Sequence, residues 1–127
     1  MRILITNDDG IAAPGIAVLA EAMSRISQVT IVAPAAEMSA VGHAITLSDP
    51  LRVTPYDKNN EFFGHAVRGT PADCVKLAYW VLLKDQPKPD LLISGINLGA
   101  NTGINVIYSG TVSAATEGAI LGIPSFA

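Results

Sequence analysis

The chain alternates short, continuously apolar runs with segments whose apolar residues recur every three to four positions. A continuous apolar run is typical of a strand covered on both faces, and the longer repeat is typical of a helix with one buried face. Strands are predicted at Arg2–Thr6, Val29–Ala33, Ile45–Val53, Phe62–Val67, Leu91–Ser94 and Ile123–Ala127. Helices are predicted at Ala13–Ile26, from a Thr70 cap to about Lys84, and at Val112–Leu121. The alternation predicts an α/β fold with a doubly wound, mostly parallel sheet in a three-layer α/β/α arrangement.

Two stretches depart from the alternation. Ile45–Val53 and Phe62–Val67 follow one another without a helix, so we expect an antiparallel pair joined by the polar stretch Tyr56–Glu61. Gly95–Gly110 is a long loop in which Gly and Asn alternate up to Asn105. These residue types adopt positive φ most readily, and such a backbone can gather N–H groups into an anion-binding concavity.

Length and composition indicate one domain, residues 1–127, with a conventional core. Half of the residues are apolar and 15% are charged, which excludes a mainly disordered chain. A net charge of −3 and 6% aromatic residues argue against a binder of nucleic-acid polymers or of anionic membranes. The charge-free run Leu91–Thr116 contains too many Asn and Gly residues to cross a bilayer. No secretion signal is recognisable and the lone Cys74 is predicted to be buried, so we expect a cytoplasmic protein.

Charge is nearly absent from the last third of the chain. From Leu91 to Ala127 the one acidic or basic residue is Glu117. We therefore expect either that this third is buried within the sheet or that the chain continues in nature beyond Ala127.

Oxygen-bearing side chains follow three of the predicted strands. Asp8 and Asp9 come after the first strand, Ser39 a few residues after the second, and Asn97 after Leu91–Ser94. Ligands bind beyond the carboxyl ends of the strands in such sheets, so these side chains should cluster. Two carboxylates, a hydroxyl and an amide carbonyl suit Mg²⁺, Mn²⁺ or Ca²⁺ rather than structural Zn²⁺. The alternative is that Asp8 or Asp9 merely caps the turn that follows.

A second candidate site lies at the start of the last predicted helix. Ser109-Gly110-Thr111 offers free N–H groups, two hydroxyls and the positive end of a helix dipole, which together suit a phosphate. The alternative is an ordinary Ser/Thr cap. His43, in the same loop as Ser39, is a candidate for substrate contact, with a solvated loop histidine as the alternative.

Six spaced motifs together resemble the SurE (survival protein E) family of nucleotidases. They are NDDG at Asn7–Gly10, Ala13-Pro14-Gly15, Ser39 with Thr46, GTPADC at Gly69–Cys74, SGIN at Ser94–Asn97, and YSGTV at Tyr108–Val112. The resemblance runs the length of the chain but covers only the N-terminal half of a typical member, so we expect that a C-terminal part is missing.

The resemblance implies a Rossmann-like fold and specific roles for the candidate residues. One divalent metal ion would be held by positions matching Asp8, Asp9, Ser39 and Asn97. A phosphate pocket would be lined by positions matching Asn101, Ser109, Gly110 and Thr111. The implied reaction is hydrolysis of nucleoside 5′-monophosphates, with 3′-nucleotides and short polyphosphates as side substrates, in a homodimer or homotetramer.

The catalytic residues are predicted to be Asp8 and Asp9. Whether Asp8 activates the nucleophile or attacks phosphorus itself stays open. The alternative function is a metal-dependent nucleotide-binding module without turnover.

Overall fold

Six strands form one sheet, and five of them run parallel. The computed structural model describes all 127 residues. The strands are β1 (Arg2–Thr6), β2 (Gln28–Pro34), β3 (Arg52–Lys58), β4 (Glu61–Arg68), β5 (Leu91–Ser94) and β6 (Ser125–Phe126). Their order across the sheet is β3-β4-β2-β1-β5-β6. Only β3 is antiparallel to its neighbour, so the predicted mostly parallel sheet is confirmed.

Four α-helices accompany the sheet. They are α1 (Pro14–Ser24), α2 (Pro71–Leu77), α3 (Asn105–Tyr108) and α4 (Gly110–Ile120), with a π-helical continuation of α2 at Ala78–Leu82. The predicted cap of α2 is present, because Thr70 and Asp73 form a reciprocal capping box. None of the helices has the length and apolar character needed to cross a bilayer.

The two faces of the sheet carry separate apolar cores. Ile3 and Ile5 of β1 pack with Ile16 of α1 on one face. Leu4 of β1 and Leu92 of β5 pack with residues of α2 and α4 on the other. Successive side chains of a strand point to opposite faces, so a strand covered on both sides reads as the continuous apolar run Ile3-Leu4-Ile5. The three-layer α/β/α prediction is therefore confirmed.

The predicted strand Ile45–Val53 is largely wrong, because regular pairing begins only at Arg52. Residues 45–51 have no sheet partner, and Thr46 is held instead by Asp73, to which its backbone N–H and its hydroxyl both donate. The predicted connector Tyr56–Glu61 is also wrong, since most of it is strand. The actual turn is Asn59–Asn60, whose φ values of +54° and +63° fit a two-residue type I′ hairpin.

Other boundaries differ by a few residues. Helix α1 ends at Ser24 rather than Ile26, α4 runs from Gly110 to Ile120 rather than from 112 to 121, and β6 is shorter than predicted. The loop after β5 contains the short helix α3, which the sequence pattern did not predict. The antiparallel arrangement of β3 and β4 is confirmed.

Candidate metal and phosphate site

The candidate site lies where the strand order reverses. After β1, the chain adds β2, β3 and β4 on one side of β1. It then passes through α2 and adds β5 on the other side of β1. Thr6 and Ser94, the last residues of β1 and β5, are register partners. The turns that follow these two strands carry Asp8, Asp9 and Asn97, so they flank the crevice in which α/β sheets bind ligands.

Asp8 is a buried carboxylate, 5% exposed, whose orientation is fixed by α4. Its Oδ1 accepts a hydrogen bond of 2.5 Å from the hydroxyl of Thr111. Its backbone carbonyl accepts from the N–H of Met38, which lies beside Ser39, at 2.7 Å. Gly110 packs directly on Asp8, since an added Cβ at Gly110 would lie 2.7 Å from the Asp8 Cβ. The start of α4 and the turn after β1 are thus in direct contact.

The other three candidate ligands are each oriented by one hydrogen bond. Asp9 Oδ2 accepts from the backbone N–H of Leu98 at 3.1 Å. Asn97 Nδ2 donates to the carbonyl of Gly99 at 3.0 Å, which leaves Oδ1 as the atom available to a ligand. The Ser39 hydroxyl donates to Glu37 Oε1 at 2.6 Å and keeps its lone pairs available. Together with Asp8 Oδ2, each predicted ligand retains an oxygen without a hydrogen-bond donor.

One cavity of about 780 Å³ collects these side chains. Asp8, Asp9, Ser39 and Asn97 all line it. Its charged lining residues are Asp8, Asp9 and Glu37, with no Lys, Arg or His among them. Carboxylates that line one cavity disfavour a further anion there unless a cation compensates their charge. The hard oxygen donors and the uncompensated negative charge therefore fit a divalent cation such as Mg²⁺ or Mn²⁺.

The predicted phosphate residues fall into two groups. Asn101 and Ser109 line the cavity. Gly110 and Thr111 form the buried first turn of α4 behind it, against Asp8. Ser109 caps α4, because its Oγ accepts a hydrogen bond from the N–H of Val112 at 3.1 Å, as the alternative of an ordinary cap predicts. Its own hydroxyl proton is still available to a ligand. The N–H groups of a first helical turn have no carbonyl partner within the helix.

The structure does not bring His43 to the cavity lining. Its Nε2 lies 2.8 Å from Glu117 Oε2 of α4. The prediction that both Gly and Asn residues of Gly95–Gly110 adopt positive φ holds only for glycines. Positive φ in this loop is confined to Gly95, Gly99 and Gly103. Asn97, Asn101 and Asn105 have no positive φ, and all three line the cavity.

Sequence reasoning missed Glu37 and Tyr108, which both line the cavity. Glu37 has a local signal, since it lies two residues before Ser39 and accepts the hydrogen bond of its hydroxyl. Tyr108 directly precedes the Ser109 cap. Cys74 has no role here: it is fully buried, and burial raises the pKa of its thiol far above the ordinary value.

Replacing Thr111 by Val should destabilise the fold by about 1–3 kcal/mol, because the buried Asp8 carboxylate loses its hydroxyl donor while the side-chain volume is nearly unchanged. The free energy of unfolding in urea measures the effect. Thr116→Val on the same helix is the matched control, since Thr116 is exposed and its hydroxyl donates only to the Val112 carbonyl. Equal changes in the two variants would contradict a specific role for the Thr111–Asp8 bond.

Comparison with known proteins places the chain among related sequences and structures. A family model described as Survival protein SurE matches residues 3–127. The 5′-nucleotidase SurE of Syntrophobacter fumaroxidans is 62% identical over 127 residues, which are 100% of this chain and 50% of that relative. The 5′-nucleotidase SurE of Thermosipho melanesiensis is 61% identical over 127 residues, 100% of this chain and 49% of that relative.

A solved structure is similar as well. The crystal structure of the SurE protein from Aquifex aeolicus matches with a TM-score of 0.86 at 47% identity, over 98% of this chain and 49% of that one. The chain thus spans about half the length of the curated relatives it matches.

Proposed function

Because the chain belongs to the SurE family, we propose that it acts as a metal-dependent phosphomonoesterase on nucleoside 5′-monophosphates, releasing nucleoside and phosphate. The relatives that are named 5′-nucleotidase SurE support the choice of substrate class. 3′-Nucleotides and short polyphosphates are proposed as side substrates, since they present the same terminal phosphate.

The observation that carries the proposal is the charge of the cavity. Its charged lining residues are the carboxylates of Asp8, Asp9 and Glu37. A phosphate carries negative charge and would be repelled from such a cavity unless a cation stood between them. The proposal therefore includes one divalent ion, Mg²⁺, Mn²⁺ or Ca²⁺, held by Asp8, Asp9, Ser39 and Asn97. When bound, such an ion supplies charge neutralisation for the phosphate and lowers the pKa of a water molecule.

The chain's own residues supply the remaining chemistry. Asp8 either removes a proton from the attacking water or attacks phosphorus itself, giving an aspartyl phosphate that water then hydrolyses. In both routes the P–O bond to the nucleoside breaks and the nucleoside oxygen leaves with a proton from solvent. Thr111 holds the Asp8 carboxylate in one orientation. Asp9 lies beside it and is oriented by the N–H of Leu98. The hydroxyl of Ser109 and the N–H groups at the start of α4 would donate to the phosphate oxygens as negative charge develops. Asn101, in the cavity wall, would add an amide donor.

Assembly and location belong to the same proposal. We infer a homodimer or homotetramer, as the family resemblance implies. A cytoplasmic location agrees with Cys74, the one cysteine of these 127 residues, which is buried as a free thiol.

The test is phosphate release from AMP by the purified protein with Mn²⁺ or Mg²⁺, before and after chelation. We expect release that is lost on thorough chelation and returns when excess Mn²⁺ is added. Phosphate release that survives thorough chelation would contradict the proposed requirement for a metal ion. AMP binding in calorimetry without any phosphate release would favour the alternative, a metal-dependent nucleotide-binding module without turnover.

A further inference from the structure

Glu117 is a buried carboxylate that the proposed reaction does not use. It lies on α4, is 4% exposed, and is the one acidic or basic residue between Leu91 and Ala127. Its Oε1 accepts a hydrogen bond from Lys76 Nζ of α2 at 3.1 Å. Its Oε2 lies 2.8 Å from Nε2 of His43. A carboxylate offers only acceptor atoms, so Nε2 carries the proton of this second bond.

His43 lies in the segment between β2 and β3, residues 35–51, which has no helix or strand. The same segment carries Ser39, which is a predicted cation ligand and is exposed. Segments with exposed backbone and few apolar contacts open more easily than the rest of a fold. Ser39 therefore depends on contacts elsewhere in the segment for its position.

Two backbone contacts and one side-chain contact hold the part of the segment around Ser39. The N–H of Met38 donates to the carbonyl of Asp8 at 2.7 Å, and the N–H of Gly42 donates to the carbonyl of Tyr108 at 3.1 Å. His43 adds the bond to Glu117 directly after Gly42. This bond ends on α4, the helix whose first turn holds Asp8 through Thr111.

The next residues of the segment are anchored to α2. The hydroxyl of Thr70 donates to the carbonyl of Ala44 at 2.7 Å. Thr46 donates to Asp73 from its N–H at 2.9 Å and from its hydroxyl at 2.6 Å. Among these side-chain hydrogen bonds, which join the segment to α2 and α4, the bond from His43 is the nearest to Ser39 in the sequence. It is also the one that reaches α4.

We propose that His43 and Glu117 are positioning residues: their bond holds the segment that carries Ser39 against α4, and thereby sets the affinity of the site for a divalent cation. The inference rests on the proposed function for the role of Ser39. It gives His43 a task other than touching the substrate, in agreement with its place outside the cavity lining.

The experiment compares three variants of the chain as it occurs in its organism. His43→Ala removes the bond, and His43→Gln keeps a side-chain N–H that can reach Glu117. Lys76→Met is the matched control, because it removes the other partner of Glu117 without touching the segment. The His43 side chain is 35% exposed, so these changes leave the apolar cores intact. The readouts are Mn²⁺ affinity by calorimetry, hydrogen exchange of the Met38 and Gly42 amides without metal, and kcat and KM for AMP.

For His43→Ala we expect about tenfold weaker Mn²⁺ binding and about tenfold faster exchange of both amides, the change that one hydrogen bond to a charged group is worth. His43→Gln should recover most of both, and Lys76→Met should keep both within about twofold of the original protein, because His43 still donates to Glu117.

Unchanged amide exchange in His43→Ala, or unchanged Mn²⁺ affinity in that variant, would overturn the inference. If the Mn²⁺ affinity is unchanged and KM for AMP is raised in both His43 variants, the result would also show that His43 touches the substrate. If the original protein binds Mn²⁺ and the variants behave as expected, but no phosphate is released from AMP, the proposed function fails and the positioning role stands.

Discussion

Asp8→Asn is expected to reduce kcat/KM for AMP by roughly 10³-fold or more, a loss comparable to removing a central catalytic group from other hydrolases. Asn keeps the size of the side chain and an Oδ1 atom that can still accept the bond from Thr111. The substitution therefore removes the negative charge, and with it either the base or the nucleophile, without opening a cavity. Steady-state phosphate release in the presence of saturating Mn²⁺ measures the effect.

The same substitution should weaken Mn²⁺ binding, because an amide oxygen is a poorer ligand for a hard cation than a carboxylate. Calorimetry with Mn²⁺ alone separates this loss from the loss of chemistry. Asp85→Asn is the matched control: it removes one negative charge from an exposed position outside the cavity lining, and it should change neither quantity. Phosphate release by Asp8→Asn within about tenfold of the original protein would contradict the role that we assign to Asp8.

The arrangement of Asp8, Asp9 and Asn97 could be predicted because it follows from topology. Carboxyl ends of parallel strands lie at one edge of a sheet, so the residues directly after β1 and β5 are expected at the same edge once the strands are identified. The pairing of β1 with β5 then makes them neighbours. The continuous apolar runs identify those strands because both faces of β1 and β5 are covered. The structure brings Ser39 to the same cavity as well, although its metal-binding role stays a prediction.

The hairpin β3–β4 could not be located from the hydrophobic pattern. β3 is an edge strand with mostly exposed residues, and a register shift at Tyr56/Asp57 breaks its alternation. Residues Ile45–Leu51 look apolar enough for a strand, but hydrogen bonds from Thr46 to the buried Asp73 hold their start outside the sheet. A contact between residues so far apart in sequence leaves no local signal.

The bond between His43 and Glu117 could not be predicted from the sequence for the same reason. The two residues are separated by 74 positions, and each looks like an ordinary polar residue in its own segment. The charge-poor last third of the chain indicates part of this arrangement. Glu117 is isolated there among apolar and small residues, and such a position favours a buried carboxylate that is paired with another side chain. Its partners, however, come from α2 and from an irregular segment, which only the folded structure brings together.

Gly110→Ala is expected to disable the site by a steric route. A Cβ at this position would lie 2.7 Å from the Asp8 Cβ and 3.1 Å from Pro71 Cγ, so the first turn of α4 would have to move away from Asp8. Gly110 does not have a positive φ, and the backbone by itself would accept Ala. A Gly→Ala change inside a helix normally stabilises a protein by about 0.5–1 kcal/mol. Here we expect a loss of about 1–3 kcal/mol, as for an overpacked core.

The activity should fall further than the stability loss alone explains. A displacement of about 1 Å between groups that act together costs on the order of 10²-fold in rate. Ser109, Thr111 and Asp8 are the groups that an Ala at Gly110 would separate. The free energy of unfolding in urea and kcat/KM for AMP under conditions where the protein is folded measure the two effects separately.

Gly118→Ala, two turns along the same helix, is the matched control for this change. Its added Cβ would lie 2.5 Å from Ser125 Oγ and 2.9 Å from Leu92 Cδ1, so it also clashes with its neighbours. We expect a comparable loss of stability there and unchanged kcat/KM, because the clash is against β5 and β6 rather than against Asp8. If both variants lost activity in proportion to their stability, the close packing of Gly110 on Asp8 would be a requirement of the fold and not of the site.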